Sequence, residues 1–324
     1  MIRSWVTFWK TSPHFRGAVW KISSFLCFSG INGIVRILSQ TSDALGQTPL
    51  PAYEIAFFQN IVGLIFLVPW IIQQGPQSLK THYPALQAFR IVLSALGVVL
   101  WYISLTYLPL AQAVALMFLG PLITVMGAKV FLKETLSKER SIAILVGFVG
   151  GGIISHTSFT VGAFSLVAFL PILAATCFSG ATLMVRRLAK DDSPQLIVTY
   201  LLFFMAPVLL IPTLFYGVYP ETWQWPWLLM MGGLAASAHL CLGKAYASAE
   251  VSYLIPYGFT KWFASALIGF AAFAEIPSFW TCLGAFILMG AIVSLSYSET
   301  RRRGRELDGK KQGPHLNFSE RGRT

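Results

Sequence analysis

Long apolar runs follow one another along this chain, and they leave very few folds open to it. Ten such runs are separated by short polar, proline- or glycine-containing breaks, at 18–38, 54–74, 85–105, 110–132, 140–156, 162–186, 194–216, 225–245, 251–273 and 278–298. A helix needs about 20 apolar residues to cross a bilayer, where it satisfies its own backbone hydrogen bonds. The pattern therefore predicts an all-α integral membrane protein with ten transmembrane helices.

The charged residues are few, and they are unevenly distributed. Only 11% of the residues are charged, against about 25% in soluble globular proteins. The net charge of +11 could indicate nucleic-acid binding, but here we interpret it as a signal of membrane topology, so no nucleic-acid partner is expected. The expected partners are the lipid bilayer and a small-molecule substrate.

The loops on one side of the predicted membrane contain no basic residue. If the N-terminus is cytoplasmic, the loops 39–53, 106–109, 157–161, 217–224 and 274–277 lie outside, and none of them contains Lys or Arg. The cytoplasmic loops, helix ends and tail hold Lys80, Lys129, Lys133, Lys138, Arg140, Arg186, Arg187, Lys190, Lys244, Arg301, Arg302, Arg303, Arg305, Lys310 and Lys311. The positive-inside rule thus predicts that both termini are cytoplasmic, with an N-terminal segment at 1–17 and a mobile basic tail at 299–324.

The chain also contains an internal repeat. Glu134-Thr-Leu-Ser137 and Glu275-Ile-Pro-Ser278 each follow a long apolar helix and precede a glycine-containing one, at an offset of 141 residues. Two five-helix units result, at 18–156 and 162–298. Because five is odd, the second unit enters the membrane from the opposite side. Such inverted repeats are typical of secondary transporters, which bind substrate near the midplane between the halves.

In this arrangement the chain resembles the EamA domains of the drug/metabolite transporter superfamily, and within it the S-adenosylmethionine uptake carriers. The stretches that carry the resemblance are 53–58, 78–81, Arg90, 146–150, 255–257 and 273–277. The resemblance implies a bacterial inner-membrane carrier that moves a small polar or amphipathic metabolite by alternating access, through S-adenosylmethionine uptake or exchange. The alternative is an exporter of amino acids or drugs. An integral membrane enzyme is less expected, and no cofactor or metal is expected.

Lys261 is the leading candidate for substrate binding. It lies about ten residues into its apolar run, which places its Cα about 15 Å deep in a hydrocarbon layer about 30 Å thick. A charge at that depth costs at least a few kcal/mol unless it faces a wet cavity or a partner. Tyr253 and Tyr257 precede it at four-residue spacing, so one helical face is predicted to carry all three side chains. The alternatives are a structural ion pair for Lys261 and interhelical hydrogen bonds for the tyrosines.

Helix breaks and other polar residues supply further candidates. Gly120 and Pro121 occupy the position in the first repeat that Lys261 has in the second, and they mark a binding site or a packing kink. Arg90 is expected to bind substrate from the cytoplasmic side or to snorkel to the interface. His239 is a candidate for substrate contact or proton relay, with packing as the alternative, and Trp101 belongs to the site or to an interfacial belt.

A final pair of residues is predicted at the outer ends of the first two helices. Arg36 ends the first helix and Glu54 opens the second, so the two are expected to form a gate or a structural ion pair, with Asp43 as another partner for Arg36.

Overall fold

Helices make up almost all of the described chain, and no strand occurs in it. A computed structural model describes residues 13–40, 48–74, 81–131, 136–159, 166–192 and 194–311. Its helices are α1 Pro13–Ser39, α2 Ala52–Gln74, α3 Pro84–Tyr107, α4a Leu110–Met117, α4b Leu119–Phe131, α5 Lys138–Phe159, α6 Leu170–Leu188, α7 Pro194–Tyr216, α8 Trp225–Ser248, α9a Val251–Leu254, α9b Thr260–Phe273 and α10 Phe279–Lys311. Short 3₁₀ turns at Leu166–Phe169 and Pro256–Phe259 precede α6 and α9b.

Seven stretches of the described residues are long and apolar enough to cross a membrane. They are Pro13–Ser39, Pro84–Tyr107, Leu110–Phe131, Val167–Leu188, Thr199–Tyr216, Trp225–Ser248 and Phe279–Ser298. Ala52–Phe66 is a shorter apolar stretch, α5 begins with charged residues, and α9 is interrupted. The prediction of an all-α membrane fold is confirmed, and the element order fits ten helices in two five-helix repeats.

The fourth and ninth helices break at equivalent positions of the two repeats. An offset of 141 residues carries the first residues of α4a and α4b, Leu110 and Leu119, onto Val251 and Thr260, where α9a and α9b begin. The same offset relates Phe118 to Phe259, and these two rings meet edge to face with centroids 5.5 Å apart. The internal symmetry that the sequence suggests therefore reaches the level of individual contacts.

The first helix of each repeat packs against helices of the other repeat. α1 packs against α8 and α9b, whereas α6 packs against α3 and α4b. Two groups of helices result, which we call the α1–α8–α9 group and the α3–α4–α6 group. α2 packs against α7 beside them, and α5 packs along α10.

The C-terminal helix is longer than predicted. α10 continues to Lys311, so the first part of the basic tail is helical rather than mobile. No proline interrupts residues 298–311, and an α-helix can therefore continue past the end of its apolar stretch. Residues 1–12 and 312–324 lie outside the described residues, as do Lys80, Lys133 and Glu134.

Candidate substrate-binding site

A central cavity of about 370 Å³ lies between the two groups of helices, with α2 and α7 at its sides. Known ligand pockets measure about 300–1,000 Å³, so this one can hold a small metabolite. Its lining is mostly apolar and aromatic, with a few polar groups: Phe28, Ile31, Asn32, Ala56, Gln59, Asn60, Gly63, Ser94, Val98, Trp101, Tyr102, Met117, Phe178, Leu201, Met205, Ala235, Ala236, His239 and Lys261. Met117 and Lys261 place the cavity at the level of the two helix breaks, where transporters of this architecture bind substrate.

Lys261 projects into this cavity from the first turn of α9b. Its Nζ lies 5.2 Å from the ring centre of Trp101 and 5.6 Å from that of Phe28. The Lys261 carbonyl accepts a hydrogen bond from Ser29 Oγ at 3.0 Å, which ties the backbone at this position to α1. Among the described lining residues there is no Asp or Glu, so the ammonium has aromatic neighbours there but no carboxylate. Such a cation favours a substrate that brings negative charge or carbonyl oxygens.

Amide and hydroxyl groups line the cavity as well. Asn32 on α1 donates to Ser265 Oγ at 3.4 Å, and Tyr102 on α3 donates its hydroxyl hydrogen to Gln59 Oε1. Asn60 lies one residue further along α2. These amides were not among the predicted site residues, although polar side chains inside a membrane span are themselves a signal for a functional site.

Two further predicted residues lie where a substrate could touch them. Trp101 is buried in the cavity wall, and its ring face is next to Lys261. His239 on α8 is open to the cavity, and its ring meets Phe28 edge to face with centroids 5.4 Å apart. Phe28 therefore has Lys261 and His239 as neighbours, and the three side chains form one aromatic and basic wall.

Tyr253 and Tyr257 are not part of the described cavity lining. Their hydroxyls lie 3.1 Å apart, and Tyr253 also packs edge to face on His14. The predicted common face with Lys261 is absent because α9 is interrupted between them. The step from Tyr257 to Lys261 crosses the 3₁₀ turn, which has three residues per turn, so Lys261 leaves the side on which the two tyrosines meet.

Gly120 and Pro121 shape α4 without lining the cavity. The Gly120 carbonyl accepts hydrogen bonds from Ser179 Oγ at 2.8 Å and from Thr124 Oγ1 at 2.9 Å. Pro121 has no N–H to donate to the carbonyl of Met117, four residues earlier, and α4a ends at that residue. Pro121 itself faces the outside of the bundle.

Arg90 is buried between helices and is not among the lining residues. Its Nη2 donates to the Ile197 carbonyl on α7 at 2.7 Å, and its Nε donates to Gln87 Oε1 at 3.2 Å. This position matches neither snorkelling to the interface nor contact with a substrate in the cavity. In the structure Arg90 joins α3 to α7.

Arg36 has a different partner from the one predicted. Its Nη2 lies 2.5 Å from Glu275 Oε1, whereas Glu54 accepts a hydrogen bond from the Val218 backbone at 2.9 Å. Glu54 was predicted because it is close to Arg36 in the sequence. Glu275 lies in the turn between α9b and α10, and this turn is on the same side of the molecule as the end of α1. Asp43, the other predicted partner, lies outside the described residues.

Comparison with known proteins identifies the family. The EamA-like transporter family profile matches residues 16–155 and again residues 165–297, so the chain belongs to the EamA-like transporter family. It is 31% identical to a riboflavin transporter of Vibrio cholerae, over 90% of this chain and 96% of that protein. It is 27% identical to an S-adenosylmethionine uptake transporter of Rickettsia prowazekii (89% and 95%) and 25% identical to a pseudopaline exporter of Pseudomonas aeruginosa (86% and 95%). The protein is thus a multi-pass membrane transporter of a small molecule.

Proposed function

We propose that this protein carries a flat, uncharged or anionic heteroaromatic metabolite, riboflavin in the first place, across the bacterial inner membrane by alternating access. One observation carries the proposal. Lys261 faces the cavity between the rings of Trp101 and Phe28, and no carboxylate lies among the described lining residues. A substrate of this kind supplies the electron-rich oxygen atoms that the cation lacks.

The chemistry of riboflavin matches the cavity in three respects. Its tricyclic ring presents a flat face, which the rings of Phe28, Trp101 and Phe178 suit. Its carbonyl oxygens and ring nitrogens accept hydrogen bonds, which Lys261 and amide side chains can donate. Its hydroxyl-bearing chain and ring N–H require further polar partners, and Gln59 and Asn32 can give or accept hydrogen bonds.

S-Adenosylmethionine is the second candidate, since the resemblance of the sequence and the rickettsial relative both support it. Its adenine suits the aromatic wall, and its carboxylate suits Lys261. Its sulfonium and amino group are both positive, however, and a nearby ammonium repels them. The charge of the cavity therefore favours the flavin.

The direction and orientation of transport are part of the same proposal. We place both termini in the cytoplasm because Lys and Arg are absent from the loops of the opposite side. The α1–α8–α9 group and the α3–α4–α6 group, each of which draws helices from both repeats at 18–156 and 162–298, act as the halves that alternate around the cavity. We propose uptake, and the pseudopaline relative makes export the alternative direction to test.

The test is transport by the purified protein in liposomes. Labelled riboflavin, S-adenosylmethionine and a neutral amino acid are offered outside, with and without unlabelled substrate inside. We expect uptake of labelled riboflavin. If the mechanism is exchange, this uptake is faster when unlabelled riboflavin is present inside the liposomes. If S-adenosylmethionine or the amino acid moves and riboflavin does not, the flavin proposal is refuted while the family assignment stands.

A pair of lysine variants tests the site. Lys261→Met removes the ammonium but keeps a long apolar side chain, and it should weaken riboflavin binding about ten- to hundredfold, the value of a hydrogen bond from a charged donor. Lys244→Met is the matched control, because Lys244 lies on α8 over the ring of Trp20 and is not part of the described lining. Wild-type affinity in Lys261→Met would remove this residue from the binding mechanism.

A further inference from the structure

A charged pair joins α1 to the turn between α9b and α10 at the end of the molecule where α1 finishes, which we call the Arg36 end. Arg36 Nη2 and Glu275 Oε1 lie 2.5 Å apart, and both side chains are largely buried. The guanidinium also lies 5.5 Å from the ring centre of Phe273, which fixes its orientation. Both charges belong to the α1–α8–α9 group, so the ion pair by itself does not connect the two groups.

The remaining donors and acceptors of this pair reach across to the other group. Arg36 Nη1 donates to the carbonyls of Leu105, at 3.2 Å, and of Leu108, at the end of α3. Glu275 Oε2 accepts a hydrogen bond from the N–H of Leu110, the first residue of α4a, at 2.9 Å. The pair therefore holds the α3–α4 turn from both sides, and we call this arrangement the Arg36–Glu275 clamp.

Helix ends make this turn a natural target for opposite charges. The last carbonyls of a helix and its first N–H groups have no partner within the helix. The C-terminal end of α3 carries partial negative charge and the N-terminal end of α4a partial positive charge. The guanidinium meets the former and the carboxylate meets the latter, so charge and hydrogen bonding agree.

The clamp lies beyond the cavity rather than in it. Neither Arg36 nor Glu275 is among the described lining residues. Between the clamp and the cavity, Trp262 on α9b donates its indole N–H to the Ala111 carbonyl on α4a at 3.0 Å, a second link between the groups on the same seam. A substrate that passes along this seam at the Arg36 end requires the groups to separate, and separation breaks the clamp contacts to Leu105, Leu108 and Leu110.

We propose that the Arg36–Glu275 clamp is the gate at the Arg36 end of the transport path. It is closed in this structure, and it must release the α3–α4 turn when the transporter opens at that end. Arg36 and Glu275 are then positioning residues: they set the balance between conformations and do not contact the substrate.

Access to the cavity from each side of the membrane tests the proposal without reference to any substrate. Ala236 lines the cavity, so Ala236→Cys, in a protein whose Cys27, Cys177, Cys241 and Cys282 are replaced by alanine, reports access to a membrane-impermeant maleimide. Labelling rates are measured in spheroplasts and in inverted membrane vesicles. We expect Glu275→Gln and Arg36→Gln to increase the rate at least about tenfold from one side only, the side of the Arg36 end.

A second carboxylate at the same end provides the control. Glu221 accepts hydrogen bonds from the Thr48 backbone at 3.0 Å and from Trp223 Nε1 at 2.9 Å, and neither donor belongs to the α3–α4 turn. Glu221→Gln should therefore label at the rate of the parent protein. If it labels as fast as Glu275→Gln, or if both clamp variants label at the parent rate, the gate proposal is overturned. Should Glu275→Gln fail to insert, Glu275→Asp, one methylene too short to reach Arg36 and Leu110 together, makes the same test.

Discussion

The packing of α5 on α10 leaves no room for a side chain at Gly284. The two helices approach each other closely at Gly150 and Gly284. A Cβ atom added at Gly284 would lie 2.6 Å from the Gly150 carbonyl oxygen and 2.5 Å from Ile154 Cγ1. Favourable contacts between heavy atoms are about 3.5–4.0 Å long, and a helix carbonyl cannot rotate away as a side chain can. Gly284→Ala must therefore push the helices apart.

The size of the effect follows from two opposing contributions. Overpacking a well-packed contact costs about 1–3 kcal/mol, while replacing Gly by Ala inside a helix gains up to about 1 kcal/mol. Gly290→Ala on the same helix isolates the second contribution, because a Cβ there meets nothing within 4 Å. The two alanine variants should therefore differ by about 1–3 kcal/mol. At about 2–4 °C per kcal/mol for domains of 150–250 residues, Gly284→Ala should melt several degrees below Gly290→Ala.

The assay is thermal unfolding of both variants in the same detergent, followed by tryptophan fluorescence and by size exclusion after heating. Ligand affinity of the fraction that remains folded should equal that of the wild type, because α5 and α10 contribute no described residue to the cavity lining. Equal midpoints for Gly284→Ala and Gly290→Ala would refute the close-approach argument. If either variant keeps the wild-type thermal midpoint but binds ligand more weakly, the inference that α5 and α10 do not contribute to the binding site is refuted.

Two more outcomes follow from the loops and the displaced tyrosines. Burial raises the pKa of Asp192, but hydrogen bonds from Thr81 Oγ1 at 2.5 Å and from the His82 backbone at 3.1 Å outweigh it and hold the pKa below the usual value of about 3.9. The ionised carboxylate therefore stabilises the fold at pH values above the usual pKa of about 3.9, and this contribution is lost as the pH falls through the lowered pKa. Asp192→Asn should lower the thermal midpoint at pH 7, and the midpoint of this variant should fall less steeply below about pH 4 than that of the wild type. Tyr253→Phe and Tyr257→Phe should leave ligand affinity within about twofold in equilibrium binding, since neither residue is among those described as lining the cavity; a larger loss would return them to the site.

Features that depend on local sequence were predictable. Hydropathy and breaks gave the helix positions because a membrane helix must be apolar over its whole length. Pro256 could have indicated the interruption of α9, since proline lacks the N–H that a continuous helix needs, although 251–273 was predicted as one helix. Because a buried, unpaired ammonium is costly, Lys261 was predicted to face a wet cavity or a charged partner, and it lines the central cavity.

Features that depend on packing between distant helices were not predictable. Hydropathy indicates which segments cross the membrane but not which helices pack together. The packing of α1 and α6 on helices of the other repeat could therefore not be predicted from the spacing of residues. For the same reason Arg36 was assigned Glu54, its neighbour in sequence, while its partner Glu275 comes from the far end of the second repeat. Arg90 was expected to bind substrate or to snorkel because it lies near a helix end. Its actual partner is a backbone carbonyl on α7, which the sequence does not reveal.

The symmetry of the fold and the asymmetry of its site can be separated at single residues. Phe118 and Phe259 are identical, equivalent and in contact, so the helix breaks keep the internal symmetry. Two residues further on, the first repeat has Gly120 and the second has Lys261. In the proposed alternating-access mechanism, the symmetric part allows the two halves to exchange conformations. The asymmetric part sets the charge of the cavity and can change without disturbing the helix breaks. Relatives of this chain carry names as different as riboflavin transporter and S-adenosylmethionine uptake transporter. At position 261, a change of charge should therefore change which substrate is bound without preventing the protein from folding.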